Sequence, residues 1–360
     1  MALLFRSELL TKTDRYSSEL KLPDFLYNEK GEFDRERTIE LLLSEEYGKL
    51  NTNGLTVSAA EEKLQNCATY AGKCKKHIRY VFTLAKGERS ESFPVDLFMP
   101  CENGGCPVVV SLDFSINEKR CYCPVEEILE SGVGVARVLY TDVTSDDNDF
   151  ENGVAPLLSD RQDPHSAGKL RIWAYAASLI GAHLLEQGIV SSDRLYVAGH
   201  SRLGKTALLA AALDQNFAGV HSNNSGCSGV AISREKDGET IAIINKLFPF
   251  WFAPCYAEYA NRENEMPFDQ HYLTALIAPR KLSVATAEED TWADTEAQYL
   301  SLEAASVIYE KQGVMGLDPE VGLMTTGMST DRGQIGLIMR SGTHYFSRHD
   351  WHFFLNFIQK

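Results

Sequence analysis

The eight residues Gly199-His200-Ser201-Arg202-Leu203-Gly204-Lys205-Thr206 (GHSRLGKT) fit two unrelated patterns, and the choice between them sets the architecture of the chain. Read as G-x-x-x-x-G-K-[ST], they are formally a phosphate-binding loop, with Lys205 for phosphates and Thr206 for magnesium. Read as a nucleophile elbow, they are a tight strand-to-helix turn that lifts Ser201 above the carboxyl end of a sheet. The usual elbow is G-x-S-x-G, whereas here Leu203 holds the second glycine's place and Gly204 comes one later. Spacing alone favours the phosphate loop.

The flanking sequence favours the elbow. Arg194–Ala198 reads as a strand and Thr206–Asp214 as a helix. A phosphate loop usually follows the first strand of its domain, while about four strands precede this turn. Downstream, the apolar run Lys281–Ala287 leads into Glu288-Glu289-Asp290, and Gln334–Arg340 leads into Ser341-Gly342-Thr343-His344. An acid after the penultimate strand and a histidine after the last give the chain order Ser…Asp…His. The apolar run before Asp290 also imitates a second NTPase motif, so that alternative stays open.

Working outward, short β-branched and aromatic runs alternate with longer helical stretches from about residue 78. His77–Leu84 and Phe93–Met99 read as strands joined by the polar turn at 86–90, and Pro107–Asp113 and Val133–Tyr140 as buried strands. Lys169–Gln187 carries helical spacing, and Gly219–Ser222 is a further strand. The expected fold is α/β, an α/β-hydrolase with a mostly parallel central sheet and helices on both faces in a three-layer sandwich. Residues 1–360 read as one domain. Residues 1–75 read as a mainly helical and irregular N-terminal extension with little strand character, containing a helical pattern over 37–43.

Composition narrows the partners. With 50 Asp and Glu against 35 Lys and Arg in 360 residues, the formal charge is −15. That excess disfavours nucleic acid and anionic membranes, which need a basic face, and suits a neutral or weakly polar small molecule. No run of 18 or more apolar residues is present, and Ala2-Leu3-Leu4-Phe5 is too short for a secretory core before Arg6. Either the protein is cytoplasmic, or it is secreted and a signal has been removed. The eight cysteines (67, 74, 101, 106, 121, 123, 227, 255) lack paired zinc spacing and read as thiols in a reducing compartment. No cofactor or metal is expected, and a monomer is favoured.

The residue types specify a chemistry. A serine hydroxyl attacks only when an imidazole takes its proton, here His344 acting on Ser201. A carboxylate, Asp290, holds that imidazole in the working tautomer and stabilises its charged form. The backbone N–H of Arg202 follows the nucleophile and would donate to the oxyanion. Competing candidates are Asp294 for the acid and His349 or His352 for the base, with His271 read as structural. The aromatic run Phe248-Pro249-Phe250-Trp251-Phe252 reads as packing rather than a sugar platform.

At these residues the sequence resembles the bacterial branch of the glucuronoyl esterases, carbohydrate esterase family fifteen. The family elbow G-x-S-R-x-G-K is present as Gly199, Ser201, Arg202, Gly204 and Lys205. The likeness continues through Asn223–Cys227, Gly238-Glu239-Thr240, Phe248–Phe252, Ala275–Arg280, Ala287–Asp294, Arg340–His344 and Asp350-Trp351, and covers nearly the whole chain. It implies hydrolysis of esters between (4-O-methyl-)glucuronic acid on xylan and lignin alcohols, without a cofactor. It also implies that Lys205 and Glu239 hydrogen-bond sugar hydroxyls, that Trp292 lines the uronate pocket, and that the Arg202 side chain assists at the oxyanion.

Three positions depart from the family. Asn224 stands where many members carry a glutamate as triad acid, which leaves Asp290 for that role. Phe250 replaces a frequent histidine, and Asp113-Phe114-Ser115 is not the usual loop after its strand. The alternatives that remain are an acetyl xylan or other carbohydrate esterase, an inactive carbohydrate-binding homologue (encouraged by Asn224), and the NTPase.

Overall fold

A computed structural model describes residues 20–62, 70–102, 104–114 and 122–360. The apolar start at 2–5, Cys67, Ser115 and Cys121 lie outside them. Within the run Val108-Val109-Val110, the outer two valines join one apolar core and the middle one joins another. Successive side chains of a strand leave opposite faces, so a continuous apolar run marks a sheet covered on both sides. Helices Lys169–Glu186, Arg202–Leu213 and Thr295–Lys311 cover the larger core. Val125–Glu130 and Arg348–Ile358 cover the smaller. This is the three-layer α/β-hydrolase arrangement expected from the sequence.

The strands are β1 Thr56–Glu62, β2 Lys76–Lys86, β3 Arg89–Met99, β4 Val108–Asp113 and β5 Gly134–Leu139. They continue with β6 Leu195–His200, β7 Gly219–Asn223, β8 Lys281–Ala287, β9 Ser329–Thr330 and β10 Ile335–Arg340. Among the described residues they form one sheet in the order β1-β2-β3-β5-β4-β6-β7-β8-β10-β9. From β5 to β10 the neighbours are parallel, while β1–β3 and β9 attach antiparallel at the edges. The carboxyl ends of β6, β8 and β10 therefore lie at the same rim of the sheet, and the loops leaving them carry Ser201, Asp290 and His344.

Two expectations need correction. The segment 1–75 has strand character after all, because β1 runs antiparallel along β2. Its residues are almost all exposed, so no apolar alternation announces it. The β2–β3 turn is also shorter than 86–90. Lys86 pairs with Arg89, leaving only Gly87 and Glu88 between the strands, and Gly87 at φ 62° permits the two-residue hairpin. The helix of the N-terminal segment is present as Arg35–Leu42, capped by Asp34, which accepts from Arg37 N–H at 3.0 Å.

That segment also buries a carboxyl group. Gln270 Nε2 donates to both oxygens of Glu46, at 3.1 and 2.9 Å. Burial pushes the Glu46 pKa up to about 7, outweighing the hydrogen bonds from Gln270, Ser228 and Tyr47. A carboxyl that ionises less readily folded than unfolded adds stability at low pH. That contribution is lost as pH rises from the unfolded value of 4.5 through the folded value near 7. The melting temperature should therefore carry a fall across this window that Glu46→Gln, with no proton to lose, reduces. Parallel pH profiles for the two proteins would contradict this.

Candidate active site

β6 ends at His200 and the next helix begins at Arg202, so Ser201 alone makes the corner, at φ 57° and ψ −125°. A non-glycine residue in such a conformation costs about 1–3 kcal/mol and is typical of functional turns. The corner is tight enough to dictate its glycines. A Cβ on residue 199 would come within 2.1 Å of Leu203 O, and one on residue 204 within 2.9 Å of Asn223 O. The helix leans on β7 at residue 204, which is why the second glycine comes one place later than in the usual elbow.

The same geometry removes the phosphate-loop alternative. A one-residue corner leaves no loop to wrap a phosphate. Lys205 Nζ is instead turned into the protein, donating to Ser225 O at 2.6 Å and to Glu239 Oε2 at 3.2 Å. The Thr206 hydroxyl is buried and donates to Arg202 O at 2.8 Å.

Three elements bring the expected residues into line. His344 Nε2 lies 2.8 Å from Ser201 Oγ, and His344 Nδ1 lies 2.7 Å from Asp290 Oδ2. The loop carrying His344 is wrapped around the Arg340 guanidinium, which donates to Ser341 O at 3.0 Å, to Thr343 O at 3.2 Å and to Tyr345 O. Arg340 Nε in turn reaches both oxygens of buried Asp350 at 3.0 Å. The motif Arg340–His344 with Asp350-Trp351 is thus one unit, a strand end, a loop and the helix that anchors it.

Asp290 is buried, whereas Glu288 and Glu289 beside it are exposed. Burial alone would raise its pKa. The hydrogen bond and charge of His344, with donors from Asn224 and from Ala293 N–H, outweigh it, so the carboxyl sits below its ordinary value. Asn224 Nδ2 donates to Asp290 Oδ2 at 2.6 Å, so the departure from the family acid becomes a donor to the acid that remains. His200 packs against His344 with ring centroids 4.5 Å apart and contacts Asn223 Oδ1 at 2.5 Å. Burial holds His200 neutral, well below the usual imidazole range.

The competing candidates have other work. Asp294 caps the helix Thr295–Lys311, accepting from Ala297 N–H at 3.0 Å. His349 is exposed, His352 meets Glu127 on the surface, and His271 is buried against Pro23 O.

A cavity of about 420 Å³ opens beside the serine. Ser201, Arg202, Lys205, Asn224, Glu239, Asp290, Trp292 and His344 all line it, so every sequence-expected site residue meets there. Lys205 and Glu239 form its polar floor at 4% and 5% exposure, while Trp292 stands at the rim, 46% exposed. The loop bearing Trp292 lies against residues 236–239. Glu239 N–H donates to Trp292 O at 3.1 Å, and Gly238 (φ 70°) approaches so closely that a Cβ there would meet Thr291 O and Trp292 O at 2.6 Å. Arg202 opens its helix, where first-turn N–H groups lack intrahelical partners and the dipole favours developing negative charge. Among the described residues no group of three or more His, Cys, Asp or Glu is arranged to hold a metal ion.

Sequence reasoning missed part of the lining. Leu247, Phe248 and Trp251 form one wall, with the Phe248 and Trp251 rings stacked 3.9 Å apart. The aromatic run read as packing does pack, and it also faces the cavity.

A family profile described as glucuronyl esterase, fungi, matches residues 82–313. Carbohydrate esterase MZ0003, from an unknown prokaryotic organism, is 35% identical over 241 residues, covering 65% of this chain and 54% of that relative. The 4-O-methyl-glucuronoyl methylesterase of Podospora anserina is 33% identical over 161 residues, 42% of this chain and 34% of that one. The chain thus matches roughly a third to a half of the length of these two relatives. The solved glucuronoyl esterase from Solibacter usitatus superposes with a TM-score of 0.81 at 27% identity, covering 94% of this chain and 97% of that one.

Proposed function

The chain belongs to the glucuronoyl esterase family, and from that premise we propose that it hydrolyses esters of (4-O-methyl-)glucuronic acid through an acyl-enzyme. The observation that carries this reading is the continuous line Ser201–His344–Asp290, with bonds of 2.8 and 2.7 Å at the mouth of a polar-floored cavity. His344 Nε2 takes the Ser201 proton as Oγ attacks the ester carbonyl, and Asp290 stabilises the imidazolium that results. The oxyanion is met by Arg202, through its N–H at the helix start and its guanidinium. His344 then returns the proton to the departing alcohol, leaving the uronoyl group on Ser201. A water molecule, deprotonated by the same imidazole, releases the acid and restores the serine.

Substrate recognition falls to Lys205 and Glu239, whose buried charges present donors and acceptors to sugar hydroxyls, and to the Trp292 ring. An esterified uronate is neutral and its product is an anion, so a chain of net charge −15 disfavours product retention.

The test compares benzyl glucuronate with a small acetyl ester. The glucuronate ester should be the better substrate. Trp292→Ala should raise KM for it by roughly tenfold, the scale of one aromatic contact, and leave the acetyl ester unchanged. Cleavage of the acetyl ester alone would replace the uronate reading with that of a general carbohydrate esterase.

A further inference from the structure

The Arg202 guanidinium is held by groups that lie far from it in sequence. Its Nη1 donates to Asp146 Oδ2, and the guanidinium carbon sits 4.8 Å from the Trp251 ring centroid, 5.5 Å from Phe248 and 5.6 Å from Phe114. Asp146 does more than pair with the cation. Its Oδ1 accepts from Trp251 Nε1 at 2.7 Å, and its Oδ2 also accepts from the Tyr140 hydroxyl at 2.9 Å. One carboxylate therefore orients both the guanidinium and the ring beneath it. The pair is substantially enclosed, with side-chain exposures of 25% for Arg202 and 12% for Asp146.

We propose that Asp146 is the positioning residue that fixes the Arg202 guanidinium beside Ser201 for oxyanion stabilisation, an inference that rests on the serine-esterase reading above. An unrestrained arginine loses rotamer freedom when it is held in one geometry. A donor contributes most to a transition state when it is already in place before charge develops. The geometry meets that condition. Asp146 engages the Nη1 side of the fork, the aromatic faces restrain the plane through cation–π attraction, and Arg202 lines the same cavity as Ser201. The guanidinium is anchored at the cavity that holds the nucleophile.

The test is a double-mutant cycle read by the rate at which a fluorophosphonate labels Ser201, which loads the oxyanion site without depending on the natural ester. Asp146→Ala should slow labelling by roughly ten- to a hundredfold. In an Arg202→Ala background the same change should add nothing. With benzyl glucuronate the loss should fall on kcat and leave KM in place. Trp251→Phe keeps an aromatic face under the guanidinium and removes the indole donor to Asp146. It should give a smaller loss of the same kind, again only when Arg202 is present, and it serves if the Asp146→Ala protein does not fold. Losses that multiply in the double mutant would assign Asp146 to the fold at large and overturn the proposal. So would wild-type labelling in Asp146→Ala. A wild type that the probe never labels would overturn the serine-esterase reading itself, and this inference with it.

Discussion

Ser201→Ala is expected to lower turnover of a glucuronate ester by on the order of a millionfold, while KM stays within a fewfold of wild type. The size follows from what the hydroxyl does. Without Oγ no acyl-enzyme forms, and the imidazole 2.8 Å away has only water to activate. The residual rate should still exceed the uncatalysed one by about a thousandfold, because the helix start, Arg202 and the rest of the cavity lining remain. The backbone gives an independent check. Residue 201 sits at φ 57°, where glycine avoids a penalty that alanine shares with serine. Ser201→Gly should therefore be as inactive as Ser201→Ala yet melt higher, a stability gain matched to a functional loss. A Ser201→Ala protein retaining a hundredth of wild-type turnover would remove Ser201 from the mechanism.

The reasons this site could be read from sequence are local. A one-residue corner between a buried strand and a helix needs glycine where Leu203 O and Asn223 O approach, and such needs leave fixed letters. The acid and base follow strands whose apolar runs are continuous because both faces of the sheet are covered. Where a segment is neither tight nor buried on one face, the pattern fades. β1 is an exposed edge strand and shows no alternation. Asp146 lies in the acidic stretch Asp142–Asp149, where nothing local marks one carboxylate over its neighbours. Its role is set by Arg202, Trp251 and Tyr140, which only the folded chain assembles. Likewise the run Phe248–Phe252 reads as core, because aromatic letters do not tell which ring edge meets a cavity. Glu46 is hidden for the same reason, since its burial depends on Gln270, more than two hundred residues away.

Asp290→Asn is expected to cost about ten-thousandfold in kcat, the scale at which loss of the triad carboxylate leaves an imidazole in the wrong tautomer. The surroundings make an amide a poor substitute here. Asp290 Oδ2 accepts from both His344 and Asn224, at 2.7 and 2.6 Å, while Oδ1 faces Ala293 N–H at 3.3 Å. Whichever way the amide turns, its NH₂ group confronts a donor, and its neutral oxygen stabilises the imidazolium less. Residue 224 offers a route to recovery. Its side-chain nitrogen already reaches the oxygen that His344 uses, so a side chain one methylene longer can bring a carboxylate toward Nδ1. Asn224→Glu in the Asp290→Asn background should regain roughly ten- to a hundredfold, whereas Asn224→Asp, with no added reach, should regain little. Recovery should remain partial, since residue 224 sits at φ 46°, a conformation asparagine tolerates better than glutamate. With Asp290 intact, Asn224→Glu should do the opposite of rescue. It exchanges a donor for a second carboxylate, and two carboxylates at one site share a proton. The depressed pKa of Asp290 should then rise, and that carboxyl should take up its proton at a higher pH than in the wild type. An Asp290→Asn enzyme within tenfold of wild type would mean that the acid of this site lies elsewhere.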